Sequence, residues 1–370
     1  MLITRLWLHD FRSYHQLELP LESGLTAIIG PNGVGKTNLL EALGVLATLK
    51  SFRGSPTESM VRRGAEVAVV RAEGVRDDRP VLIELELGRG RTRAQVNRQR
   101  LKRGRDLLGA LRISVFAPDD LALIKEGPSI RREYLDDALV ALNPATDAMF
   151  RDFERILKQR NALLRQSQGT PPDRLDESTE VTLKVWDDKF NTVGTRLAKQ
   201  REALVERLAP LVQDSYDLLA GTTDSGDRQA IDATYVRSWG NDPLADAVVG
   251  ARAIDLRRGV TTIGPHRDEL DLRLNGLASR TEASQGEQRT LALALRLAAH
   301  RLVTDTIGEP PLLLLDDVLS ELDVDRADAL LANLPVGQTV ITSATELPEG
   351  TKPDRTLRHD GSGFVDRADP

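Results

Sequence analysis

Apolar and polar residues alternate, or form short apolar runs, over the first third of this 370-residue chain. Such patterns are typical of β-strands with one or both faces buried. They predict strands at residues 2–8, 16–19, 25–29, 67–73, 81–87 and 111–116. The N-terminal part of the chain is therefore predicted to carry a sheet.

After Pro118–Asp120 the spacing of apolar residues becomes helical. Ser129 is a candidate N-cap for the first helix of this region. Two longer seams with alternating three- and four-residue spacing follow, at residues 150–164 and 190–211. The break between them, at residues 167–173, holds two prolines and a glycine. We expect the two seams to pair as a short antiparallel helical hairpin.

Residues 221–252 show weak periodicity and receive no assignment. The pattern then predicts a strand, a helix, a buried strand, a helix and a last parallel strand, at residues 269–274, 290–303, 312–315, 324–332 and 339–342. The predicted fold class is α/β, a mixed sheet with flanking helices, interrupted by an inserted and mainly helical second lobe. Lobe I is assigned to residues 1–118 and 255–370, and lobe II to residues 119–254.

Composition excludes several kinds of site. Cysteine is absent, which rules out disulfides and thiolate metal sites, and five scattered histidines argue against a histidine-rich metal cluster. The first ten residues lack the basic and apolar regions of a secretory signal, and no apolar run approaches the roughly 18 residues of a membrane span. We therefore expect a cytoplasmic protein.

The net charge is −6, with 50 basic and 56 acidic residues, and gives no overall signature of nucleic-acid binding. The distribution is uneven, because one segment contains only basic charges. We name it the basic island; its cations are Arg89, Arg91, Arg93, Arg98, Arg100, Lys102, Arg103 and Arg105. Its spacing predicts a basic hairpin, which either binds DNA phosphates or is an ordinary solvated surface. The sequence leaves both interpretations open.

The motif with the most specific chemistry follows the strand at 25–29. Residues 30–37 fit the pattern G-x-x-x-x-G-K-[ST], and a helix-like segment comes next. Glycines let backbone N–H groups approach phosphate oxygens, and a helix N-terminus adds positive potential. Lys36 is predicted to bind the β- and γ-phosphates of a nucleoside triphosphate, and Thr37 to bind Mg²⁺. We name the segment the phosphate cradle: Gly30, Pro31, Asn32, Gly33, Val34, Gly35, Lys36, Thr37 and Asn38.

Two aspartates follow the buried strand at 312–315. Asp316, at the carboxyl end of a parallel strand, is predicted to complete the Mg²⁺ site with Thr37. Asp317 is predicted to orient or deprotonate the attacking water. Lys36, Asp316 and Asp317 are therefore the predicted catalytic residues.

The segment before the helix at 290–303 offers a second anion site. Ser284, Gly286 and Glu287 place a hydroxyl and backbone N–H groups at the start of that helix. The same residues fit a capping box, in which Glu287 bonds back to the backbone of Ser284. The two interpretations are compatible.

Together these motifs resemble the ABC-type ATPase heads, and among them the RecF recombination-mediator family of bacterial DNA repair. Residues that carry the resemblance span nearly the whole chain: Phe11–Tyr14, Gly30–Asn38, Ser51–Arg53, Phe116–Asp119, Pro128, Arg131–Arg132, Gly264–Asp268, Ser284–Arg289 and Asp316–Asp323. The pair Gly264–Asp268 and Ser284–Arg289 is more specific to this family than the cradle is.

The resemblance implies an ABC-type P-loop ATPase head that binds ATP and Mg²⁺, hydrolyses ATP slowly, and forms a homodimer while ATP is bound. By the same resemblance Arg12 joins the cradle and Ser284, Gly286 and Glu287 as a nucleotide contact. It implies binding to gapped, single-stranded or junction DNA, contact with RecR- and RecO-type mediators, and roles in recombinase loading, replication restart and the SOS response. Within the basic island, the predicted DNA contacts are Arg98, Arg100, Lys102 and Arg103.

Two positions depart from the general ABC pattern. Asp317 stands where transporter ATPases carry a catalytic Glu, and Thr342-Ser343 where they carry a switch His. Both agree with the RecF pattern and predict slow hydrolysis used as a timer. The usual Gln between the lobes has no clear counterpart, and Asp119 and Asp120 are the candidates for its place.

Three alternatives share parts of this pattern. A transporter nucleotide-binding subunit has a much shorter stretch between its equivalents of Lys36 and Ser284, without paired helix seams. A chromosome-structural head of the SMC kind carries a far longer coiled coil. A nucleotide-gated DNA clamp without hydrolysis stays open as an alternative, since clamping and hydrolysis are compatible.

Overall fold

The chain forms two compact units in a computed structural model that describes residues 1–88, 90–220, 228–360 and 364–366. Among the described residues, unit 1 takes those within Met1–Leu121, Asp214–Arg228 and Ser284–Pro370. Unit 2 takes those within Ala122–Gln213 and Gln229–Ala283. Each unit is described separately below.

The strands, in chain order, are β1 (Leu2–Phe11), β2 (Tyr14–Pro20), β3 (Leu25–Ile29), β4 (Val67–Arg76), β5 (Arg79–Gly88), β6 (Arg91–Val96), β7 (Gln99–Arg100), β8 (Ile113–Phe116), β9 (Ile231–Val236), β10 (Glu269–Leu274), β11 (Leu277–Ala278), β12 (Leu312–Asp316), β13 (Thr339–Ser343), β14 (Arg355–His359) and β15 (Phe364–Asp366). Each strand predicted above is present, most of them with longer bounds than the pattern indicated.

The helices are α1 (Lys36–Thr48), α2 (Thr57–Met60), α3 (Ala122–Lys125), α4 (Pro128–Leu142), α5 (Thr146–Gln166), α6 (Glu177–Ala220), α7 (Leu244–Arg258), α8 (Gln285–Ile307) and α9 (Val324–Ala332). The predicted N-cap Ser129 is wrong, because α4 begins at Pro128 and its N-cap is Gly127. Proline suits the first helical position, where its missing N–H would have no helical partner. No helix in the described ranges is both long and apolar enough to cross a bilayer.

The first sheet of unit 1 is antiparallel, in the order β2-β1-β4-β5-β6-β7. Its alternation follows the sequence, since Ala68, Val70 and Ala72 of β4 are buried together with Ile83 and Leu85 of β5. Val70 lies directly opposite Leu85. These side chains share one core with apolar residues of α1. The helix that follows the cradle is therefore anchored on this sheet.

The second sheet of unit 1 has the order β15-β14-β3-β13-β12-β8. All its strands except β15 run parallel. Leu312–Leu315 of β12 is at most 1% exposed, as expected for a parallel strand covered on both faces. The carboxyl ends of β3, β13 and β12 meet at one edge, where nucleotide sites of such sheets lie. The prediction that β13 is the last parallel strand is wrong, because β14 pairs in parallel with β3.

Unit 2 contains a small antiparallel sheet in the order β11-β10-β9. The pattern assigns β10 to lobe I, but β10 pairs with β9, with Leu270 opposite Tyr235. Residues 255–283 therefore lie in unit 2, whereas the sequence pattern assigns them to lobe I. The unassigned stretch 221–252 contains β9 and the start of α7, and residues 221–227 lie outside the described residues.

The predicted helical hairpin is confirmed in unit 2 by contacts between α5 and α6. The rings of Phe153 and Phe190 are 5.3 Å apart between centroids, and Leu164 shares a small core with Leu183. Residues later in α5 contact residues earlier in α6, so the two helices are antiparallel. Phe153 and Leu164 belong to the predicted first seam, whereas the contacts on α6 begin at Leu183, before the predicted second seam at 190–211.

One seam position, Arg160, is charged and fully buried. Its guanidinium donates to Asp187 and Asp255 at 2.7 Å each, and to the hydroxyl of Thr261 at 2.7 Å. A buried charge needs such partners. Removal of one partner from a buried ion pair typically destabilises a protein by about 3 to 5 kcal/mol. Arg160 thus joins α5, α6 and α7 where the pattern alone predicts an apolar contact.

Candidate functional site

The phosphate cradle lies between the end of β3 and the start of α1, as predicted. Gly33 and Gly35 have φ values of 87° and 103°, a region that favours glycine. A Cβ on Gly35 would lie 2.7 Å from the hydroxyl of Tyr14, which donates to the carbonyl of Gly35 at 3.1 Å. Tyr14 of β2 therefore supports the loop from behind and leaves no room for a side chain at Gly35.

Lys36 is held over the cradle in a position where it is only 6% exposed. Its Nζ donates to the carbonyl of Gly30 at 2.6 Å and to that of Pro31 at 3.0 Å. Burial lowers the pKa of Lys36, and the carboxylates of Asp317 and Asp316 act in the opposite direction. The two carbonyls thus hold the amine at the loop, where phosphate oxygens would be stronger acceptors.

Asp316 ends β12 and bonds to residues from both neighbouring elements. Its Oδ1 accepts from the hydroxyl of Thr37 at 2.9 Å and from the hydroxyl of Thr342 at 2.9 Å. Burial raises the pKa of Asp316, and Asp317 adds a smaller effect in the same direction. Among the described residues, no Lys or Arg lies within ion-pair distance of it. A carboxylate and a hydroxyl oxygen brought together in this way fit Mg²⁺, which prefers oxygen ligands.

Asp317 follows in a left-handed backbone conformation, with φ 48°. For a residue other than glycine this costs about 1 to 3 kcal/mol and requires support from the surroundings. The support comes from Thr342, whose Oγ1 accepts from the Asp317 amide at 3.0 Å, and from Ser320, whose hydroxyl donates to the Asp317 carbonyl at 2.7 Å. The hydroxyl of Thr342, at the place of the switch His, therefore bonds to the carboxylate of Asp316 and to the backbone amide of Asp317.

Ser284 is the N-cap of α8, and the capping box is present. Its Oγ accepts from the Glu287 amide at 3.3 Å, and Glu287 accepts from the Ser284 amide at 2.7 Å. A cavity of about 300 Å³ lies beside it, lined by Gly286, Arg289, Ser320, Glu321, Leu322, Asp323 and Arg326. Arg289 pairs with Glu321 and Arg326 with Asp323. Phosphate binding at Ser284, Gly286 and Glu287 stays a prediction.

The guanidinium of Arg12 forms hydrogen bonds with other residues of unit 1. It donates to both oxygens of Glu41, at 2.7 and 2.5 Å, and to the carbonyl of Ser59 at 2.9 Å. Glu41 is fully buried on α1 and also accepts from the hydroxyl of Ser51 at 2.5 Å. The guanidinium of Arg53 lies 4.0 Å from it. Contact between Arg12 and nucleotide stays a prediction.

Glu41 is the residue that the sequence analysis missed. It is the acidic residue in an otherwise apolar helical stretch, and that contrast was the available signal. A carboxylate at such a position needs basic or hydroxyl partners. It links two family motifs, through Arg12 and Ser51, to the helix of the cradle.

Asp120, a candidate for the missing Gln, has other partners. Its carboxylate accepts from Arg296 at 2.6 Å and from the Ala117 amide at 2.9 Å. These bonds tie the turn after β8 to α8 within unit 1. Asp119 is exposed. The carboxylate of Asp120 is therefore already bonded within unit 1, whereas Asp119 stays a candidate for the place of the Gln.

The basic island forms a hairpin, as predicted, from β6 and β7. Glu86 of β5 pairs with Arg93 at 2.7 Å, so an acid from the neighbouring strand neutralises part of the island. Arg89 and the side chain of Arg91 lie outside the described residues. The exposed remainder includes the four predicted DNA contacts, Arg98, Arg100, Lys102 and Arg103. In the ranges described, none of these four forms an ion pair.

The motif Gly264–Asp268 lies in unit 2 and is tied to the structure by its own bonds. Asp268 is fully buried and accepts from the hydroxyl of Tyr235 at 2.5 Å and from the Ser238 amide at 2.8 Å. Burial raises the pKa of Asp268. The carbonyl of Pro265 accepts from Arg201 at 2.8 Å. These contacts give the motif a structural role within unit 2.

Known proteins resemble the chain over nearly its whole length. A family model described as the RecF/RecN/SMC N terminal domain matches residues 2–346. A DNA replication and repair protein RecF from Streptomyces avermitilis is 42% identical over 355 residues, covering 93% of each chain. The protein of the same name from Frankia alni is 44% identical over 363 residues, covering 94% of each.

Two solved structures are similar in fold. One, of the recombination mediator protein RecF with ATP in the RecFOR pathway, has a TM-score of 0.87 at 29% identity and covers 99% of this chain and 98% of its own. An Smc head bound to the C-winged helix domain of ScpA has a TM-score of 0.56 at 19% identity and covers 100% of this chain and 98% of its own.

The two sheets, the cradle and these similarities define an ATPase head of the ABC and SMC type. Within that class the chain belongs to the RecF family. The fold class and the family resemblance derived from the motifs are therefore confirmed.

The contacts of Lys36 predict that Lys36→Met weakens ATP binding by roughly 10- to 100-fold, the amount expected for loss of a hydrogen bond from a charged donor. Isothermal titration calorimetry measures the affinity. Lys50→Met is the matched control, because Lys50 is exposed just after the same helix. Tight ATP binding by a folded Lys36→Met protein would contradict the role of Lys36.

Proposed function

We propose that this chain is an ATP-dependent DNA-binding protein of recombinational repair and replication restart, whose ATP-bound form is a homodimer with slow ATPase activity. The observation that carries the proposal is the bond between Thr37 and Asp316, 2.9 Å long, at the cradle. It unites a hydroxyl from the start of α1 with a carboxylate from the end of β12. Proteins that bind a nucleoside triphosphate with Mg²⁺ need both groups at one point.

In this proposal Thr37 and Asp316 hold Mg²⁺, and Lys36 and the cradle N–H groups bind the phosphates of ATP. Mg²⁺ bound there would neutralise charge that develops on the phosphate oxygens during transfer. Asp317 orients or deprotonates the water. Its side chain is one methylene shorter than the Glu of transporter ATPases, which supports slow hydrolysis used as a timer.

Dimerisation follows from the chemistry of two anion sites. The cradle supplies one set of phosphate donors, and the start of α8 supplies a second set at Ser284 and Gly286. We assign the second set to the γ-phosphate bound by the partner protomer, which gives an isologous dimer with two nucleotides. The cations beside it, Arg289 and Arg326, are paired with acids. Attraction for phosphate there would therefore come from backbone N–H groups and the Ser284 hydroxyl.

The DNA role is supported by the exposed cations of the basic island and by family membership. The related structure is described as a recombination mediator in the RecFOR pathway. We infer that this chain acts at gapped, single-stranded or junction DNA, with RecR- and RecO-type partners. Help with recombinase loading and the SOS response belongs to the same proposal.

Two of the alternatives, the chromosome-structural head and the transporter subunit, have less support. The shorter helix of the hairpin, α5, has 21 residues, or roughly 32 Å at the standard rise. A chromosome-structural protein of the SMC kind needs far longer arms. A transporter nucleotide-binding subunit has a much shorter insertion at the place of unit 2, without a helical hairpin. The likeness to the Smc head therefore supports a shared fold, and no shared structural role.

Ser284→Arg is predicted to bind ATP like the wild type but to stay monomeric and hydrolyse it at no more than about a tenth of the wild-type rate. Bulk and charge at this position would block the partner's γ-phosphate while leaving the cradle intact. Sedimentation velocity with a nonhydrolysable ATP analogue measures the association. Ser284→Thr is the matched control, since it keeps a capping hydroxyl. An ATP-dependent dimer of Ser284→Arg, or equal dimerisation of the wild type with ADP, would contradict the proposed ATP-bound dimer.

Replacing Arg98, Arg100, Lys102 and Arg103 together by Gln is predicted to weaken binding to gapped DNA. Each lost phosphate contact should reduce the slope of log affinity against log salt by about 1. ATPase without DNA should not change. The matched control replaces four exposed cations of α5 and α6 by Gln: Lys158, Lys184, Arg196 and Lys199. Equal losses of DNA affinity in both variants would indicate that the basic island is an ordinary solvated surface.

A further inference from the structure

Two histidines and an aspartate meet at the turn end of the β1–β2 hairpin, outside the nucleotide site. His9 and Asp10 lie near the end of β1, and His15 lies at the start of β2. One ligand atom from each of the three residues lies within 4.8 Å of those of the other two. The scatter of histidines along the sequence argued against a metal cluster, but antiparallel pairing brings two of them together.

The carboxylate of Asp10 faces both imidazoles. Its Oδ1 lies 2.9 Å from Nδ1 of His15, and its Oδ2 lies 3.4 Å from Nδ1 of His9. Ligand atoms around a tetrahedral Zn²⁺ with bonds of about 2.0 to 2.1 Å are about 3.3 Å apart. Each imidazole thus lies near metal-ligand spacing from one oxygen of Asp10, His15 from Oδ1 and His9 from Oδ2. The set of three ligand atoms is looser, within 4.8 Å of one another, and would close around an ion on binding.

The backbone produces this arrangement. His9 lies opposite Gln16 and Phe11 opposite Tyr14 in the ladder, which leaves Asp10 across from His15. Neighbouring residues of a regular strand point to opposite faces, but Asp10 has a φ of 47° and interrupts the alternation. As a result the side chains of His9 and Asp10 approach each other. A strained backbone at a cluster of polar groups is typical of functional positions.

Arg62 is the natural competitor for this carboxylate. Its Nε donates to Asp10 Oδ1 at 2.6 Å, and its amide donates to the Asp10 carbonyl at 2.8 Å. The hydrogen bonds from His15 and Arg62 hold the pKa of Asp10 below its usual range. The guanidinium is partly exposed, with its side chain 36% accessible, so it can turn toward solvent. A dication and Arg62 would exclude each other at Asp10.

We propose that His9, Asp10 and His15 form a site for a divalent transition metal of the Zn²⁺ class, which binds when Arg62 turns away. Two imidazoles and one carboxylate suit Zn²⁺, Co²⁺ or Ni²⁺ and not Mg²⁺. Three protein ligands at an exposed position leave the remaining coordination to water. The inference does not depend on the proposed function, because none of the three ligands belongs to the nucleotide site.

Metal at this site would fix the hairpin end that carries Arg12 and Tyr14. Those residues bond to Glu41 of α1 and to the carbonyl of Gly35. Occupancy would therefore stiffen a support of the cradle within unit 1. Slower hydrogen exchange of the hairpin amides would accompany binding.

Titration of the metal-stripped full chain with Co²⁺, without nucleotide, tests the site, because the visible absorption of Co²⁺ reports imidazole coordination. We expect one equivalent of Co²⁺ to produce the visible absorption, since the oxygen ligands at Thr37 and Asp316 would leave Co²⁺ weakly absorbing, and we expect Zn²⁺ to abolish it. His9→Ala and His15→Ala should each weaken binding by about 100-fold, and Asp10→Asn by at least about tenfold. Arg62→Gln should strengthen it by about tenfold, because a repelling cation is removed. Gln16→Ala, an exposed neighbour, is the matched control and should bind like the wild type.

Wild-type protein that binds no Co²⁺ would overturn the proposal. Unchanged affinity and absorption in His9→Ala and His15→Ala would also overturn it, by placing the metal elsewhere. Far-ultraviolet circular dichroism checks that each variant is folded. Asp10→Asn keeps the size of the side chain, and it preserves the test if an alanine variant fails to fold.

Discussion

The carboxylate of Asp316 is the group on which the nucleotide site depends. Two hydroxyls, from Thr37 and Thr342, bond to the same oxygen of a side chain that is 5% exposed. Hydroxyl dipoles offset only part of the cost of burying a charge, and burial accordingly raises the pKa of Asp316. A divalent cation beside this oxygen would supply the missing charge. Under the proposed function, the metal-bound state is therefore the most favourable state of this site.

The same bonds connect the metal position to the start of α8. Asp317 is held by Thr342 on one side and by Ser320 on the other, and Ser320 lines the cavity beside Gly286. Groups in contact in this way can change position together when charge enters at one end. In our account this contiguous route within unit 1 relates the nucleotide state to dimerisation. It runs through Thr37, Asp316, Thr342, Asp317 and Ser320.

Local patterns made the cradle and the acid pair predictable, because each lies within a few residues of the strand that positions it. Contacts between distant segments were not predictable in that way. Arg12 and Ser51 meet Glu41 from separate loops, and Arg160 occupies an apolar seam because acids from two other helices surround it. The strand β10 resembles the strands of unit 1 in its alternation, and only its pairing with β9 places it in unit 2.

The dependence of nucleotide affinity on Mg²⁺ tests the central role of Asp316 most directly. Calorimetric affinities for ATP with Mg²⁺ and with EDTA would be compared in the wild type, Asp316→Asn and Asp317→Asn. The account predicts that Mg²⁺ strengthens binding in the wild type and in Asp317→Asn, and that the gain falls by at least about tenfold in Asp316→Asn, as expected for loss of a metal ligand. A full Mg²⁺ gain in Asp316→Asn, or its loss in Asp317→Asn, would contradict the account.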